Sequence, residues 1–348
     1  MGPKMADVAR QANVSLATVS RVLNKSKYVD PDLEERVLQA IADLNYHPNQ
    51  HARWLSSRKS NAVGLVIPSV DDSTLSDFLH AISESLREQN YDLMVALSDG
   101  EKGTELELLT TLIQSHVAGV VLATPVSDRK SRTLLKNSGI PFLYAFTPDA
   151  IGKVPSIMFD DFGAARSLVR ACLGSTSPPS TFKIAIIAGP TTDSQASRRL
   201  QGFLQGLQES GLRALEPEES DGTVEGGYQA ANRILEDGRP DLIIATTDYM
   251  AIGAIRAAYD AGLSVPGDTC VLGFGENIYS HTCTPTVTTV RLDGRSLGKR
   301  CGDSIVELME GHKPQVLQQL SYELVPGESC PLAADNGDSR SNVQKGTG

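Results

Sequence analysis

The chain is 348 residues long, more than one ordinary core holds, so two or three domains are expected. With 40% hydrophobic and 21% charged residues its composition is globular; no window approaches the ~18 uninterrupted apolar residues of a membrane span, and Lys4, Asp7 and Arg10 break the start where a secretion signal needs an apolar core, so a cytoplasmic location and no membrane partner are expected. A net charge of −10 argues against nucleic acid, but residues 1–60 hold nine Lys/Arg against six Asp/Glu, which makes that end +3 and the remainder −13, so a polyanion is drawn to one end only.

Residues 1–46 read as three short helices. Met5–Ala12 is followed by a tight Asn13-Val14 turn, and Ser15 has the hydroxyl to cap a second helix, Leu16 to Asn24. Asp30-Pro31-Asp32 starts a third, with Pro at its first position and acids at the positive dipole end. Residues 47–60 (HPNQHARWLSSRKS) are polar and basic, cut off by Pro48. From Asn61 short apolar runs recur: Val63–Ile67, Leu93–Leu97, Gly119–Ala123, Phe142–Phe146, Lys183–Ala188, Leu242–Ala245 and Cys270–Phe274. Amphipathic stretches of helix length lie between most of them, such as Ser76–Gln89, Ala164–Leu173, Ser194–Ser210 and Tyr249–Ala261. That alternation implies doubly wound parallel sheets, two α/β subdomains rather than one, and ligands outside the carboxyl ends of the strands. Residues 335–348 are rich in Gly, Ser and Asn and read as a disordered tail.

In VARQANVSLATVSRVLN, Val8 to Asn24, the residues Ala9, Val14, Val19 and Val22 face inward, as a helix-turn-helix requires. Any amphipathic helical hairpin gives the same period. The outward positions of the second helix are Leu16, Ala17, Thr18, Ser20, Arg21 and Asn24. Small side chains permit close approach to the major groove, apolar ones meet a thymine methyl, and Arg21 can reach a phosphate or a guanine edge. The residues are more specific than their period. DVARQANVSLATVSRVLN, then YVDPDLEERVLQAIADLNYHPN, resembles the headpiece of the lac/galactose repressor family without a gap from Asp7 to Asn49, and more loosely to about Glu328.

The resemblance implies an all-α helix-turn-helix headpiece (1–46), a hinge (47–60) and a periplasmic-binding-protein-like α/β core (61–334). The core would comprise two doubly wound parallel-sheet subdomains, about 61–159 with 291–321 and about 160–290 with 322–334. It implies a bacterial transcriptional regulator, a repressor first of all, that binds a palindromic operator as a homodimer under the control of a small molecule. The hinge would fold on DNA with Asn49, His51 and Ala52 in contact, Leu55 as an apolar wedge in the minor groove, and Arg58 and Lys59 on phosphates. Off DNA the same residues read as a solvated linker, and Trp54 beside the wedge has no assigned role.

In the core, the resemblance places Arg199 of SRRLQGF where the family's arginine grips hydroxyls, carboxylate or phosphate, against the alternative of a helix-surface arginine. Asp71, Asp72 and Thr74 follow the first strand, where ligand contacts are expected. Asp160 fits a pocket carboxylate, with a helix N-cap equally open for it or Asp161. Thr247-Asp248 stands in place of a common Asn-Asp pair, Gly275-Glu276 in place of a ligand-accepting aspartate, and Gly222 in place of a stacking aromatic. Thr247, Gly275 and Glu276 remain candidate contacts. The missing acceptor pair and aromatic platform point to a phosphosugar or sugar acid ahead of a neutral sugar. A purine-type corepressor is the alternative within the fold, and a sugar-binding protein with no DNA role the remote one.

No enzyme, cofactor, catalytic residue or metal is expected. P-loop, GxGxxG, HExxH and GxSxG patterns are absent, and the six histidines are dispersed. Cys172, Cys270, Cys283, Cys301 and Cys330 are odd in number, scattered and never CxxC, so they read as small buried or half-buried thiols.

Overall fold

The computed structural model describes residues 3–332 apart from 25–27, 47–60, 69–72, 99–102, 125–128, 150, 175–178, 180 and 191–192. The chain divides into two units, Met1–Ser60 and Asn61–Gly348. In the first, α1 (Met5–Ala12), α2 (Leu16–Asn24) and α3 (Pro31–Asp43) pack around Val8, Ala9, Ala12, Val19, Val22, Val37 and Ala40. Asn13 ends α1 at φ 51°, a left-handed turn that a short polar side chain tolerates. The Ser15 hydroxyl accepts from the Thr18 N–H at 3.1 Å, and the Asp30 carboxylate accepts from Asp32 N–H at 3.0 Å, so both expected caps are made. Arg36 of α3 donates to the carbonyls of Ala12 and Asn13 at 2.5 and 3.3 Å, which satisfies the end of α1 and fixes the turn that aims α2.

The second unit holds two parallel sheets. The larger is ordered β11-β5-β4-β3-β1-β2, where β1 is Ala62–Ile67, β2 Asp92–Leu97, β3 Gly119–Leu122, β4 Phe142–Ala145, β5 Ser156–Phe159 and β11 Leu317–Leu320. The smaller is β7-β6-β8-β9, built from β6 (Ile184–Ala188), β7 (Glu218–Glu219), β8 (Leu242–Ala245) and β9 (Cys270–Leu272). All registered pairs in both are parallel. β1, β3, β5, β6 and β8 are buried along their whole length, the burial of strands covered on both faces.

The chain passes between the two sheets three times: after β5 into α7 (Asp161–Leu173), after β10 (Thr289–Leu292), and between β11 and β12 (Tyr322–Val325). β10 and β12 form a separate antiparallel pair, Thr289 opposite Val325 through Leu292 opposite Tyr322. The remaining helices are α4 (Ser73–Glu88), α5 (Thr104–Gln114), α6 (Arg129–Ser138), α8 (Ser194–Glu209), α9 (Val224–Glu236), α10 (Asp248–Asp260), α11 (Ile278–Thr282) and α12 (Gly294–Met309).

α12 (GRSLGKRCGDSIVELM) does not show in the sequence reading, because Gly294, Gly298 and Gly302 lower its helix propensity. They lie at i, i+4 and i+8, and that stripe lets α12 approach the backbone of α4. A Cβ at Gly298 would lie 2.3 Å from the Phe78 carbonyl oxygen. A backbone oxygen cannot swing aside, so Gly298→Ala should destabilise the core by about 1–3 kcal/mol, read as a lower urea midpoint at unchanged slope.

Candidate functional site

On α2 the outward face is as the turn and caps dictate. Leu16 is 49% exposed and contributes little to the packing of its own unit. Ala17 and Arg21 are exposed, Thr18 and Ser20 half-buried, and Asn24 ends the helix. The Thr18 hydroxyl is hydrogen-bonded to that of Ser15 at 2.9 Å, so Thr18 is held in place at the N-terminal end of the helix. The hinge candidates Asn49, His51, Ala52, Leu55, Arg58 and Lys59, with Trp54, lie outside the described residues.

In the larger unit a cavity of about 200 Å³ opens at the carboxyl ends of both sheets. Pro68, Thr124 and Thr147 reach it from beyond β1, β3 and β4; Arg199, Thr247 and Gly275 reach it from beyond β6, β8 and β9. Both strand orders reverse there, between β1 and β3 in one sheet and between β6 and β8 in the other. Ligands of open α/β sheets collect at such switch points.

Arg199 is the one cation among the described lining residues. Its Nε–H donates to Asp161 Oδ1 at 2.9 Å, an Nη1–H donates to the Thr246 carbonyl at 3.2 Å, and the guanidinium carbon sits 4.4 Å from the centre of the Phe274 ring. The arginine is therefore locked between α7, the end of β8 and an aromatic face, with the rest of its fork at the cavity. Burial pushes the Asp161 carboxyl up, and Arg199 works against that shift.

Of the other predicted contacts, Thr74, Thr247 and Gly275 line the cavity, and Asp71 and Asp72 lie outside the described residues. Two candidates stand away from the lining. The Asp160 side chain accepts from Gly163 N–H at 3.0 Å as the N-cap of α7, and does not line the cavity; its neighbour Asp161 turns inward instead. Glu276 pairs with Arg291 and His281, away from the lining. Thr247 spends its hydroxyl capping α10, accepting from Met250 N–H at 3.2 Å and donating to the Gly222 carbonyl at 3.3 Å.

Sequence reading missed Thr124, Thr147, Asp193, Gln195 and Asn277, and the aromatics Phe146, Tyr249 and Phe274. Thr124 and Thr147 each follow an apolar run by one residue, so the strand-end rule would have found them. Aromatic lining comes from Phe146, Tyr249 and Phe274 rather than from the position of Gly222, and one face of Phe274 is taken by Arg199.

Asp248, the acid of the Thr247-Asp248 pair, also lines the cavity. It is 1% exposed; Oδ1 accepts from the Thr289 hydroxyl at 2.5 Å, while Oδ2 is buried with no hydrogen bond among the described residues. Burial pushes its carboxyl up to about 6, with the Thr289 hydroxyl working against the shift.

Family models match at both ends of the chain: bacterial regulatory proteins, lacI family, over residues 4–49, and a periplasmic binding protein-like domain over 182–330. The catabolite control protein A of Priestia megaterium is 31% identical over 293 residues, 83% of this chain and 87% of that one. The chain belongs to the lacI family. This lacI-family protein is a DNA-binding transcriptional repressor and not an enzyme. It is also 30% identical to the transcriptional repressor PurR of Pasteurella multocida over 326 residues, 92% of this chain and 96% of that one. The lac repressor dimer solved on operator DNA with an anti-inducer superposes with a TM-score of 0.83 at 27% identity, covering 94% of this chain and 99% of that one.

Because folding raises the Asp248 carboxyl from 3.8 to about 6, the folded chain holds that proton more tightly than the unfolded one. The contribution is fullest below about 4 and is lost as pH rises to about 6. The urea midpoint of the wild type minus that of Asp248→Asn should fall across that window and level off above it; a constant difference would contradict the raised carboxyl.

Proposed function

We propose that this protein represses transcription as a homodimer on a palindromic operator, and that a small uncharged polyhydroxylated molecule in the core cavity sets its hold on DNA. In this reading 1–46 is the headpiece, 47–60 the hinge, 61–334 the effector core and 335–348 a tail, and its place is with the DNA in the cytoplasm. The observation that carries the DNA half is α2, whose exposed Leu16, Ala17 and Arg21 stand on a three-helix unit followed in sequence by the basic stretch 47–60, with Arg53, Arg58 and Lys59 and no acidic residue. A homodimer matches a two-fold operator, and the edge strand β2 leaves Val95 and Leu97 exposed for a second copy.

The effector half rests on charge. Arg199 is neutralised in place by Asp161, and the lining adds Asp193 and Asp248. A phosphate or carboxylate would enter against this surplus, so a neutral sugar or polyol fits better than the phosphosugar or sugar acid expected from the sequence. Its hydroxyls would donate to Asp248 and Asp193 and accept from Arg199. A purine-type corepressor is the second reading, favoured by Phe146 and Tyr249 in the lining.

A thermal-shift series with neutral sugars, sugar phosphates and purines separates these. A ligand at 100 times its Kd stabilises the folded chain by about 2.7 kcal/mol. Neutral sugars should raise the melting temperature and sugar phosphates should not; the reverse order would overturn the charge argument.

For DNA, Arg21→Ala should weaken binding to a symmetric operator by about 1–3 kcal/mol with a smaller loss on random duplex. Leu55→Ala should show the same asymmetry, since a wedge matters only where the duplex kinks. Fluorescence anisotropy on the two duplexes reads both; equal losses on each would remove these residues from sequence reading.

A further inference from the structure

Three of the five cysteines, far apart in the chain, meet in the folded core. Cys172 is in the last turn of α7, Cys270 opens β9, and Cys330 follows the stretch that leaves β12. The sulfurs of Cys172 and Cys330 are 2.9 Å apart, less than an ångström beyond the ~2.05 Å of a disulfide bond. Cys270 is close enough to Cys330 to influence its thiol, while its own Sγ–H points to the Pro266 carbonyl at 3.9 Å.

The backbone fixes this meeting. Val271 N–H donates to the Ser329 carbonyl at 2.9 Å, the Ser329 hydroxyl donates to the Val271 carbonyl at 2.6 Å, and the Thr288 hydroxyl donates to the Cys330 carbonyl at 2.5 Å. Cys330 is buried, while Cys172 and Cys270 are half-buried and so within reach of a small solute. Among the described residues no cluster of His, Cys, Asp or Glu has the makings of a metal site, which leaves the chemistry of the thiols themselves. Cys301 is buried, and Cys283 has backbone carbonyls rather than a second sulfur as its partners.

We propose that Cys172 and Cys330 are a peroxide-oxidisable pair that closes into a disulfide in the native protein. The Cys172 thiolate attacks one oxygen of hydrogen peroxide, the O–O bond breaks, and hydroxide leaves, giving Cys172 sulfenic acid. The Cys330 sulfur then attacks the Cys172 sulfur and displaces hydroxide, which departs as water with the Cys330 proton. Two thiols and one peroxide yield one disulfide and two waters. The contact with Cys172, the nearby Cys270 and burial push the Cys330 thiol up, so it keeps its proton until the second step.

The link has a structural consequence. α7 is the first helix after the chain leaves β5, and Tyr322 of β12 is hydrogen-bonded to Ser167 of that helix at 2.9 Å. A Cys172–Cys330 disulfide ties α7 to the chain on the far side of β12, beside two of the three crossings between the sheets.

The test treats the full-length protein with hydrogen peroxide, alkylates the remaining thiols and maps the unreduced peptides by mass spectrometry. The expected result is a loss of about 2 Da and one Cys172–Cys330 linked peptide that dithiothreitol dissolves. Cys172→Ser should abolish the link, and Cys270→Ser and Cys283→Ser should leave it. The oxidised wild type should melt higher than the reduced form, and Cys172→Ser should show no such rise. Full alkylation of Cys172 and Cys330 after peroxide, addition of oxygen to them without a link, or a Cys270–Cys330 link instead would overturn the proposal.

Discussion

Arg199 and Asp161 hold together the part of the core on which the proposed ligand response depends. Asp161 opens the first helix of the second lobe; Arg199 stands on α8, over the ring of Phe274 and against the carbonyl that ends β8. Removing either partner would leave a charge buried without its counterion, a change that costs about 3–5 kcal/mol in comparable pairs. The pair also sets the chemistry of the cavity, because the one cation among the described lining residues arrives with its charge already met. What remains for a ligand is a rigid guanidinium edge among carboxylates and hydroxyls.

That pair matters because of where the sheets put it. Two parallel sheets turn their carboxyl ends, and their switch points, toward one cavity. Only three strands of chain, after β5, after β10 and between β11 and β12, join the halves. A ligand gripped from both sides can therefore change the angle between lobes with little rearrangement inside either. The small helical unit is built by a different economy. Its core is small, mainly valines and alanines with Tyr46, and its caps and the Arg36 clamp satisfy the helix ends around it.

Much of this was legible in the sequence where local chemistry decides structure. Ser15 and Asp30 announced their helices because a cap is a property of a few adjacent residues. The α/β alternation was readable because fully buried strands are continuous apolar runs. Legibility failed where distant packing decides. α12 went unassigned in the sequence, and its glycines, which lower helix propensity, are what let it lie on α4. Asp160 and Asp161 differ by one residue, and only the start of α7 determines which caps and which turns inward. Cys172 and Cys330 are 158 positions apart, and no spacing rule connects them.

The central claim is that α2 reads a two-fold symmetric DNA sequence on behalf of a ligand-binding core. Selection of bound duplexes from a fully randomised library by the full-length protein tests it most directly. The account predicts enrichment of one palindrome, with half-sites centred about one helical turn apart, and loss of that enrichment in Arg21→Ala. A library that stays unenriched, or that yields an asymmetric site, would contradict it.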